Sequence, residues 1–154
     1  MELNNIIKDY SLFLLKPDVL LGGKEWEVLE ALSSKGFRLR MVRKRSLTLQ
    51  EVGVLFASST REPFYQALKE YMLSGPVIFG IVTGRNVVYS LNDYVGVADP
   101  SLCASGTLRS RFGESTLRNS IHSSNAKRVD IEIKTLYAIE EHQYSSFLKA
   151  LLTN

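Results

Sequence analysis

The sequence predicts an α+β fold in which helices pack on one face of a small antiparallel sheet. Two nearly continuous apolar runs, at residues 10–16 and 77–82, have the length and character of buried strands. Segments with apolar residues at helical spacing separate these two runs. A third segment, residues 37–41, alternates apolar side chains with arginines, which is typical of a half-buried strand.

The first half of the chain is expected to begin with a strand at residues 10–16 (YSLFLLK), which Pro17 ends. A helix is expected at residues 24–35, where Gly36 is placed to stop it. Its predicted buried face contains Trp26, Leu29 and Leu32. The arginine-containing strand at residues 37–41 follows.

The middle of the chain predicts a pair of helices, at residues 48–58 and 62–73. The apolar face of the second helix contains Phe64, Ala67, Leu68, Tyr71 and Met72. Gly75 and Pro76 then break the chain before the next strand.

The second half of the chain contributes two more strands and three more helices. Strands are expected at 77–82 and 120–123, and helices at 86–95, 129–137 and 141–152. Residues 96–118 contain Gly, Pro, Ser and Arg without periodicity, and a loop of this length in a compact domain is usually functional. A ferredoxin-like βαββαβ sandwich, with a four-stranded antiparallel sheet covered by helices, is the preferred interpretation of this order.

Length and composition are those of one folded domain. Of the 154 residues, 45% are hydrophobic and 23% are charged, which argues against a disordered chain. Residues 1–9 are expected to form an N-terminal extension and residues 10–154 a single domain. The single cysteine, Cys103, excludes an internal disulfide and favours a reducing compartment. With no evident signal peptide and no apolar run of membrane-spanning length, a cytoplasmic protein is expected.

The net charge of +3 favours a polyanionic partner. Nucleic acid, a phosphate ligand and an anionic membrane surface all meet this condition, and composition does not choose among them. A basic run along the third predicted strand suits a nucleic-acid surface, although a charged outer face of an edge strand is the simpler interpretation. The run contains Arg38, Arg40, Arg43, Lys44 and Arg45.

Residues suited to phosphate chemistry are concentrated in one loop-rich segment of sixteen positions. They are Arg109, Arg111, Arg118, Asn119, His122, Ser123 and Ser124. Arginine binds phosphate through a fixed fork of donors, and asparagine can bind a ribose hydroxyl. A neutral imidazole, whose unperturbed pKa is about 6.5, can accept a phosphoryl group. The plainer interpretation is a hydrogen-bonded structural histidine beside a solvated basic loop.

Five further residues of interest lie outside that segment. Glu132, within a predicted helix, is a candidate to set the histidine tautomer. Lys16, at the end of a strand, either enters a site or is the first solvated residue. Phe64 and Tyr65 suit base stacking, but their helical spacing favours the core. His142 is expected at the surface. No metal site is expected, because the one cysteine and two histidines lack ligand spacing, and no glycine-rich nucleotide-binding motif is present.

Five segments occur in the order found in one enzyme family. They are LFLLKPDVL (12–20), PFYQALKEYMLSGPV (63–77), GRNVV (84–88), SGTLRSRFG (105–113) and RNSIHSS (118–124). Over about residues 10–140 the chain thereby resembles nucleoside diphosphate kinases. The last segment is similar to the family's active-site signature and is highly specific in combination with the first two. The resemblance implies a nucleoside diphosphate kinase-like domain with the ferredoxin-like fold.

The resemblance also implies an activity, a ping-pong transfer of the γ-phosphoryl group of a nucleoside triphosphate through His122 to a nucleoside diphosphate. Magnesium is expected on the nucleotide phosphates rather than in a protein cage. A homo-oligomer is expected, because family members usually form hexamers and sometimes tetramers or dimers. The implied contacts are Lys16 with ribose and phosphates, Phe64 with the base, Arg109 with phosphate, Asn119 with ribose, and Ser124 and Glu132 with the imidazole.

The chain departs from the family pattern at four positions. Phe56 replaces a tyrosine, Asn92 a second phosphate-binding arginine, Ala98 a phosphate-binding threonine and Asn125 an aspartate. Arg85 and Arg111 are candidates to replace the lost arginine. The match at Glu132 requires a one-residue deletion after Asn125. Residues 112–125 (FGESTLRNSIHSSN) resemble the divergent branch of the family, some of which is weakly active or serves flagellar assemblies.

Three functions follow from the sequence. A nucleoside diphosphate kinase is favoured because His122, Lys16, Arg109 and Asn119 are all present. The alternative is a weakly active or inactive nucleotide-binding or assembly module with the same fold. A nucleic-acid binder is the least favoured, and no membrane partner is expected. Because losing one preorganised donor typically costs about 3 kcal/mol, roughly a hundredfold in rate, we expect an intact nucleophile in a weakened phosphate clamp.

Overall fold

The sheet is the centre of the fold. The structure, a computed structural model, describes residues 8–153. Four antiparallel strands lie in the order β2-β3-β1-β4. The strands are β1 (Tyr10–Leu15), β2 (Arg38–Arg45), β3 (Val77–Thr83) and β4 (Ile121–Ser123). This spatial order, with helices in the connections, is that of a ferredoxin-like βαββαβ core, so the predicted fold class is confirmed.

Eight α-helices surround the sheet within the described residues. They are α1 (Pro17–Leu21), α2 (Glu25–Ser34), α3 (Leu49–Leu55), α4 (Tyr65–Met72), α5 (Val87–Val95), α6 (Leu108–Phe112), α7 (Val129–Leu136) and α8 (Glu141–Leu152), with short 3₁₀ turns at Ala57–Ser59 and Pro100–Leu102. The short helices α1 and α6 were not predicted. Pro17 ends β1 as expected but also begins α1, because proline is well suited to the first position of a helix.

Helices cover both faces of the sheet, so the expectation that they lie on one face was wrong. Every residue of β1 and β3 is buried, and successive strand side chains point to opposite faces. Leu12 and Phe79 pack in a cluster with residues of α3, α4, α7 and α8. Phe13 and Ile78 pack in a second cluster with residues of α2, α5 and α6. The two apolar faces therefore each require a layer of helices.

The edge strand β2 is longer than predicted. Its pairing with β3 shifts register between Arg40 and Arg43, and Met41 between them has a φ of 53°. This bulge interrupts the alternation of side chains, which explains why the predicted strand stopped at residue 41. The arginine-rich run does lie on an edge strand, as the simpler interpretation expected. Arg45 there donates two hydrogen bonds, of 2.9 and 2.7 Å, to the Glu51 carboxylate.

Two predictions of burial were wrong. Trp26 is 75% exposed, while α2 buries Val28, Ala31 and Leu32. The helix is therefore rotated relative to the predicted face, because the sequence contains apolar residues on both. Phe64 is 51% exposed because it lies at the N-cap of α4, outside the regular helix whose periodicity was used.

The expected N-terminal extension is only partly visible, because residues 1–7 lie outside the described residues. Lys8 forms an ion pair with Asp130 at 2.5 Å. The Asp9 carboxylate accepts a hydrogen bond of 3.0 Å from the Asn86 backbone N–H. Both residues are therefore attached to the domain. Of the helices in residues 8–153, none is long and apolar enough to cross a membrane.

Candidate active site

His122 lies in the short edge strand β4, directly opposite Leu14 of the buried strand β1. Its Nε2 is 2.8 Å from Oε1 of Glu132, and the Ser124 hydroxyl donates to the same oxygen at 2.7 Å. Glu132 is only 2% exposed, so this arrangement is held in the interior. Because a carboxylate accepts hydrogen bonds, Nε2 carries the proton and the lone pair of neutral His122 resides on Nδ1.

A tight turn precedes the histidine. The Ile121 N–H donates to the Asn119 carbonyl at 3.0 Å, and the residue between them, Ser120, has a φ of 77°. A non-glycine residue in this left-handed region is strained, and such strain is concentrated at functional sites. The Ser120 carbonyl also accepts a 2.8 Å hydrogen bond from the Lys16 N–H. The turn therefore fixes Asn119 and His122 relative to the end of β1.

Lys16 is buried beside the histidine, which excludes the interpretation that it is the first solvated residue. It is 4% exposed, and its Nζ lies 5.4 Å from the centre of the Phe56 ring. That ring contacts the imidazole edge-on, with centroids 5.3 Å apart. Burial and, secondarily, the charge of Arg109 lower the pKa of Lys16 to about 7, against the opposing effect of Asp18.

Arg109 and Asn119 are held by backbone carbonyls of the neighbouring loop. Arg109 donates to the carbonyls of Gly96 at 2.8 Å and Ile121 at 2.7 Å, and burial lowers its pKa. Asn119 Nδ2 donates to the Ala98 carbonyl at 2.9 Å. Within residues 8–153, Arg109 Nε and Asn119 Oδ1 are buried without a hydrogen-bond partner. One donor and one acceptor of this loop are therefore without a hydrogen-bond partner within the described residues.

Asn92, in α5, reaches the histidine strand. Its Oδ1 accepts a 2.5 Å hydrogen bond from the Ser123 hydroxyl, and its Nδ2 donates to the Ser124 carbonyl at 3.3 Å. The structure thus places this departure from the family pattern in the site itself. The amide is neutral, so α5 contributes a hydrogen-bonding residue but no positive charge at this point.

A cavity of about 240 Å³ opens beside the imidazole. It is lined by Leu55, Phe56, Ala57, Ser58, Asn92, His122, Ser123, Asn125, Arg128 and Glu132. A larger cavity of about 530 Å³ lies elsewhere, between Asp9, Arg38 and Arg85 among others. We assign the chemistry to the smaller cavity because it contains the imidazole, whose tautomer is set by a buried carboxylate.

Several predicted residues are not in the lining of this cavity, and Lys16, Arg109 and Asn119 are among them. Arg85 lines the larger cavity, and Arg111 lines a third beside Tyr94, so neither replaces the arginine missing at Asn92. Arg118 stacks on Tyr71, with 5.4 Å from its guanidinium carbon to the ring centre. The structure does not bring these three arginines into the lining of the histidine cavity, because position along the chain does not determine which way each side chain points.

The exposure or the hydrogen bonds of three further residues named from the sequence are defined. His142 is at the surface as expected, with 74% of its side chain exposed. Phe64 is exposed at the start of α4 and therefore is not a core residue. Asn125 accepts hydrogen bonds from the backbone N–H groups of Lys127 and Arg128, at 3.0 and 2.9 Å, and so begins the turn into α7.

Two groups near the site were missed by the sequence analysis. The Tyr71 hydroxyl donates to the Asp18 carboxylate, which joins α4 to α1, and burial followed by this contact raises the pKa of Tyr71. Arg128 lines the histidine cavity. A signal for Arg128 was present, because it directly precedes the helix predicted at 129–137 and lies four residues, about one helical turn, before Glu132.

The donors around the histidine suit an anion. Lys16 and Arg109 are cationic side chains. Among the described residues, Arg109 Nε and Asn119 Oδ1 have no hydrogen-bond partner, and phosphate and hydroxyl groups are of the type that could supply one. Throughout residues 8–153, no three His, Cys, Asp or Glu side chains are grouped closely enough to hold a metal ion.

Comparison with known proteins gives a consistent result. The family model "Nucleoside diphosphate kinase" matches residues 9–142. The nucleoside diphosphate kinase of Prosthecochloris aestuarii is 34% identical over 132 residues, covering 85% of this chain and 94% of that protein. The Campylobacter lari enzyme is 30% identical over 132 residues, covering 85% and 96%.

Solved structures are similar as well. The crystal structure of the Aquifex aeolicus nucleoside diphosphate kinase superposes with a TM-score of 0.78 at 25% identity, covering 83% of this chain and 94% of that one. The Halobacterium salinarum nucleoside diphosphate kinase, solved in complex with CDP, has a TM-score of 0.78 at 21% identity, covering 86% and 88%. The latter likeness concerns the fold alone.

Proposed function

This chain belongs to the nucleoside diphosphate kinase family of phosphotransfer enzymes, and we propose that it acts by a ping-pong mechanism with His122 as the phosphoryl carrier. The observation that carries the proposal is the hydrogen bond of 2.8 Å between His122 Nε2 and Glu132. It places the nucleophilic lone pair on Nδ1 and holds the ring in one orientation.

The reaction has two balanced half-steps. In the first, Nδ1 of His122 attacks the γ-phosphorus of a nucleoside triphosphate. An N–P bond forms, the bond from phosphorus to the β-phosphate oxygen breaks, and a nucleoside diphosphate leaves. In the second, the terminal phosphate oxygen of another nucleoside diphosphate attacks the phosphorus and the N–P bond breaks. The proton on Nε2 remains in the hydrogen bond to Glu132, whose negative charge stabilises the imidazole as Nδ1 bonds to phosphorus.

The surrounding residues bind the nucleotide. We assign phosphate binding to Lys16 and Arg109, ribose binding to Asn119 and base stacking to Phe64. The chemistry of these side chains supports this assignment, because cationic groups bind phosphate and an amide can bind a ribose hydroxyl. The exposure of Phe64 leaves its ring available for stacking, which does not select among bases.

Magnesium is proposed to enter with the nucleotide. The residues near His122 that would contact phosphate are cationic or amide groups, which fit the phosphate oxygens and not a divalent cation. The cation would therefore be held by the nucleotide itself, where it neutralises the charge of the phosphates during transfer. Lys16 and Arg109 then bind the phosphate oxygens that magnesium leaves uncovered.

The departures from the family pattern predict a slow enzyme. Asn92 and Ala98 contribute no charged or hydroxyl side chain to phosphate, and Phe56 presents no hydroxyl to His122. Each lost donor typically lowers the rate by roughly a hundredfold or more, although losses within one network add incompletely. The neutral Asn92–Ser123 hydrogen bond favours the second candidate, a nucleotide-binding or assembly module with little turnover.

The assembly and location proposed for the chain follow from the family. We propose that residues 10–154 form one domain, that the protein is cytoplasmic, and that it is a homo-oligomer, with a hexamer favoured over a dimer or tetramer.

The proposed function is tested by mixing the protein with ATP, magnesium and a panel of nucleoside diphosphates. We expect formation of every corresponding triphosphate, at a rate that falls at least a thousandfold in His122→Ala, an estimate based on loss of a covalent nucleophile. His142→Ala is the matched control, because it removes a histidine that is 74% exposed on its side chain. A radiolabelled γ-phosphate should remain on the parent protein and on His142→Ala, but not on His122→Ala.

Two results separate the candidate functions. Transfer that is equal in the parent and His122→Ala would disprove the kinase mechanism. Binding of ATP and ADP without transfer or labelling would establish the nucleotide-binding module instead.

A further inference from the structure

Arg128 lies at the start of α7 and lines the cavity beside His122. We propose that Arg128 is a phosphate-binding residue of this site, and that its guanidinium holds the terminal phosphoryl group of a nucleoside triphosphate. The proposal rests on the proposed function and names a residue that supplies positive charge where Asn92 supplies none.

The charge of the cavity points to Arg128. Of the residues that line it, Arg128 is the one with a permanent positive charge. Glu132 is the anionic residue in the lining, and its Oε1 is engaged by His122 and Ser124. A phosphoryl group carried by His122 in this cavity would bring negative charge that the lining residues must neutralise. Arg128 is placed to do so from α7.

The position of Arg128 is set by three contacts. Its Nη2 donates a 2.8 Å hydrogen bond to the Val54 carbonyl at the end of α3. Its backbone N–H donates to Asn125 Oδ1 at 2.9 Å, and its carbonyl accepts the Glu132 N–H at 3.1 Å. The last contact places Arg128 one helical turn before the carboxylate that orients the histidine. The side chain is therefore tied to the wall of the cavity that His122 also lines, rather than free in solvent.

The guanidinium keeps donors for a ligand. Arginine has five N–H donors, about four of which remain after the hydrogen bond to Val54. In the part of the chain that the structure describes, no carboxylate lies within ion-pair distance of Arg128. Phosphate accepts such donors in pairs, which gives both affinity and orientation.

The size of the cavity identifies the part of the nucleotide that it takes. Its volume of about 240 Å³ is below the range of about 300–1,000 Å³ typical of sites for whole drug-sized ligands. A phosphoryl group fits this space, whereas the base and ribose lie outside it. The ligand assigned to Arg128 is therefore the phosphate end of the nucleotide.

The test uses binding that does not depend on turnover. ATP and AMP affinities are measured with magnesium in His122→Ala, with and without Arg128→Gln, and Arg111→Gln is the matched control because it lines a different cavity. We expect Arg128→Gln to weaken ATP binding by roughly tenfold to a hundredfold, the effect of one charge-assisted hydrogen-bonding group. AMP affinity should be unchanged, as should ATP binding in Arg111→Gln. The midpoint of thermal unfolding should fall slightly, because Arg128→Gln removes the hydrogen bond to the Val54 carbonyl.

A second variant tests the role of charge. Adding Asn92→Arg to Arg128→Gln returns a cation to the lining of the cavity and should restore most of the ATP affinity. Equal ATP affinity with and without Arg128 would overturn the proposal, and so would an equal loss of ATP and AMP binding.

The proposed function is tested separately, by measuring phosphoryl transfer with protein that retains His122. No transfer, with ATP affinity still dependent on Arg128, would remove the kinase assignment and support the phosphate site. Transfer that is unaffected by Arg128→Gln would support the kinase and overturn the assignment of Arg128.

Discussion

At the scale of the residue, Lys16 shows how far the fold changes the chemistry of one side chain. A lysine in an unfolded chain has a pKa of about 10.4, whereas in the folded protein burial lowers the pKa of Lys16 to about 7. The ammonium group lies 5.4 Å from the centre of the Phe56 ring. The charge of Arg109 lowers the pKa further, and Asp18 opposes this effect. Near neutral pH, Lys16 therefore exists in both protonation states, and an arriving phosphate favours the charged one.

The lowered pKa of Lys16 predicts a pH-dependent stability. Between about pH 7 and pH 10.5 the folded chain has released a proton that the unfolded chain retains, so stability rises with pH. Lys16→Met should be more stable than the parent below about pH 7, and the gain should shrink by at most about 1.4 kcal/mol per pH unit above it.

Urea unfolding measured across this pH range checks the prediction for Lys16. The control is Lys127→Met, which replaces an exposed lysine and should show no such trend. A stability difference for Lys16→Met that does not change with pH would show that the lysine is not titrating in the folded protein.

At the scale of the element, the close approach of β1 and β3 depends on Gly80. A Cβ atom added there would lie 2.8 Å from Cε1 of Phe13 and 3.2 Å from the Arg40 carbonyl oxygen. Phe13 is fully buried between the sheet and its second helical layer, so the ring has little room to move. The glycine allows a large aromatic side chain to cross the neighbouring strand.

Gly80→Ala is therefore expected to lower the free energy of unfolding by about 1–3 kcal/mol, because it overpacks the core. Gly53→Ala is the control, since a Cβ there meets nothing within 4 Å and should stabilise α3 by up to about 1 kcal/mol. Urea unfolding of both variants measures these effects. Adding Phe13→Leu to Gly80→Ala should cost less than the sum of the single changes, and simple additivity would contradict the proposed clash.

At the scale of the whole molecule, the surface contains apolar side chains that a homo-oligomer would cover. Leu21, the last residue of α1, is 80% exposed, and Trp26, in the first turn of α2, is 75% exposed. Aromatic side chains of this kind are common anchors of protein interfaces.

We expect the protein to sediment as an oligomer, with Trp26 in a contact between copies. Trp26→Glu should weaken that contact by at least about tenfold, since a buried aromatic anchor typically contributes more than 1.4 kcal/mol. The control is Leu49→Glu in α3, where Leu49 is 61% exposed. Sedimentation over a range of concentrations measures both variants. An unchanged distribution of masses for Trp26→Glu would exclude this contact, and a monomeric parent would exclude the homo-oligomer.

The sequence by itself determined the class of fold and most of its elements. Continuous apolar runs predicted β1 and β3, and helical spacing predicted α2, α3, α4, α5, α7 and α8, because the burial of one face leaves a regular pattern. It also proposed His122, Arg109 and Asn119 as site residues from their chemistry, and Glu132 as the residue that orients the imidazole.

Only the tertiary structure decided how these residues meet. It buried Lys16, turned Arg85 and Arg111 away from the site, and brought Arg128 into the histidine cavity. It also placed helices on both faces of the sheet. The physical reason is that periodicity records which face of an element is buried, whereas the partner of that face depends on packing between segments distant in sequence.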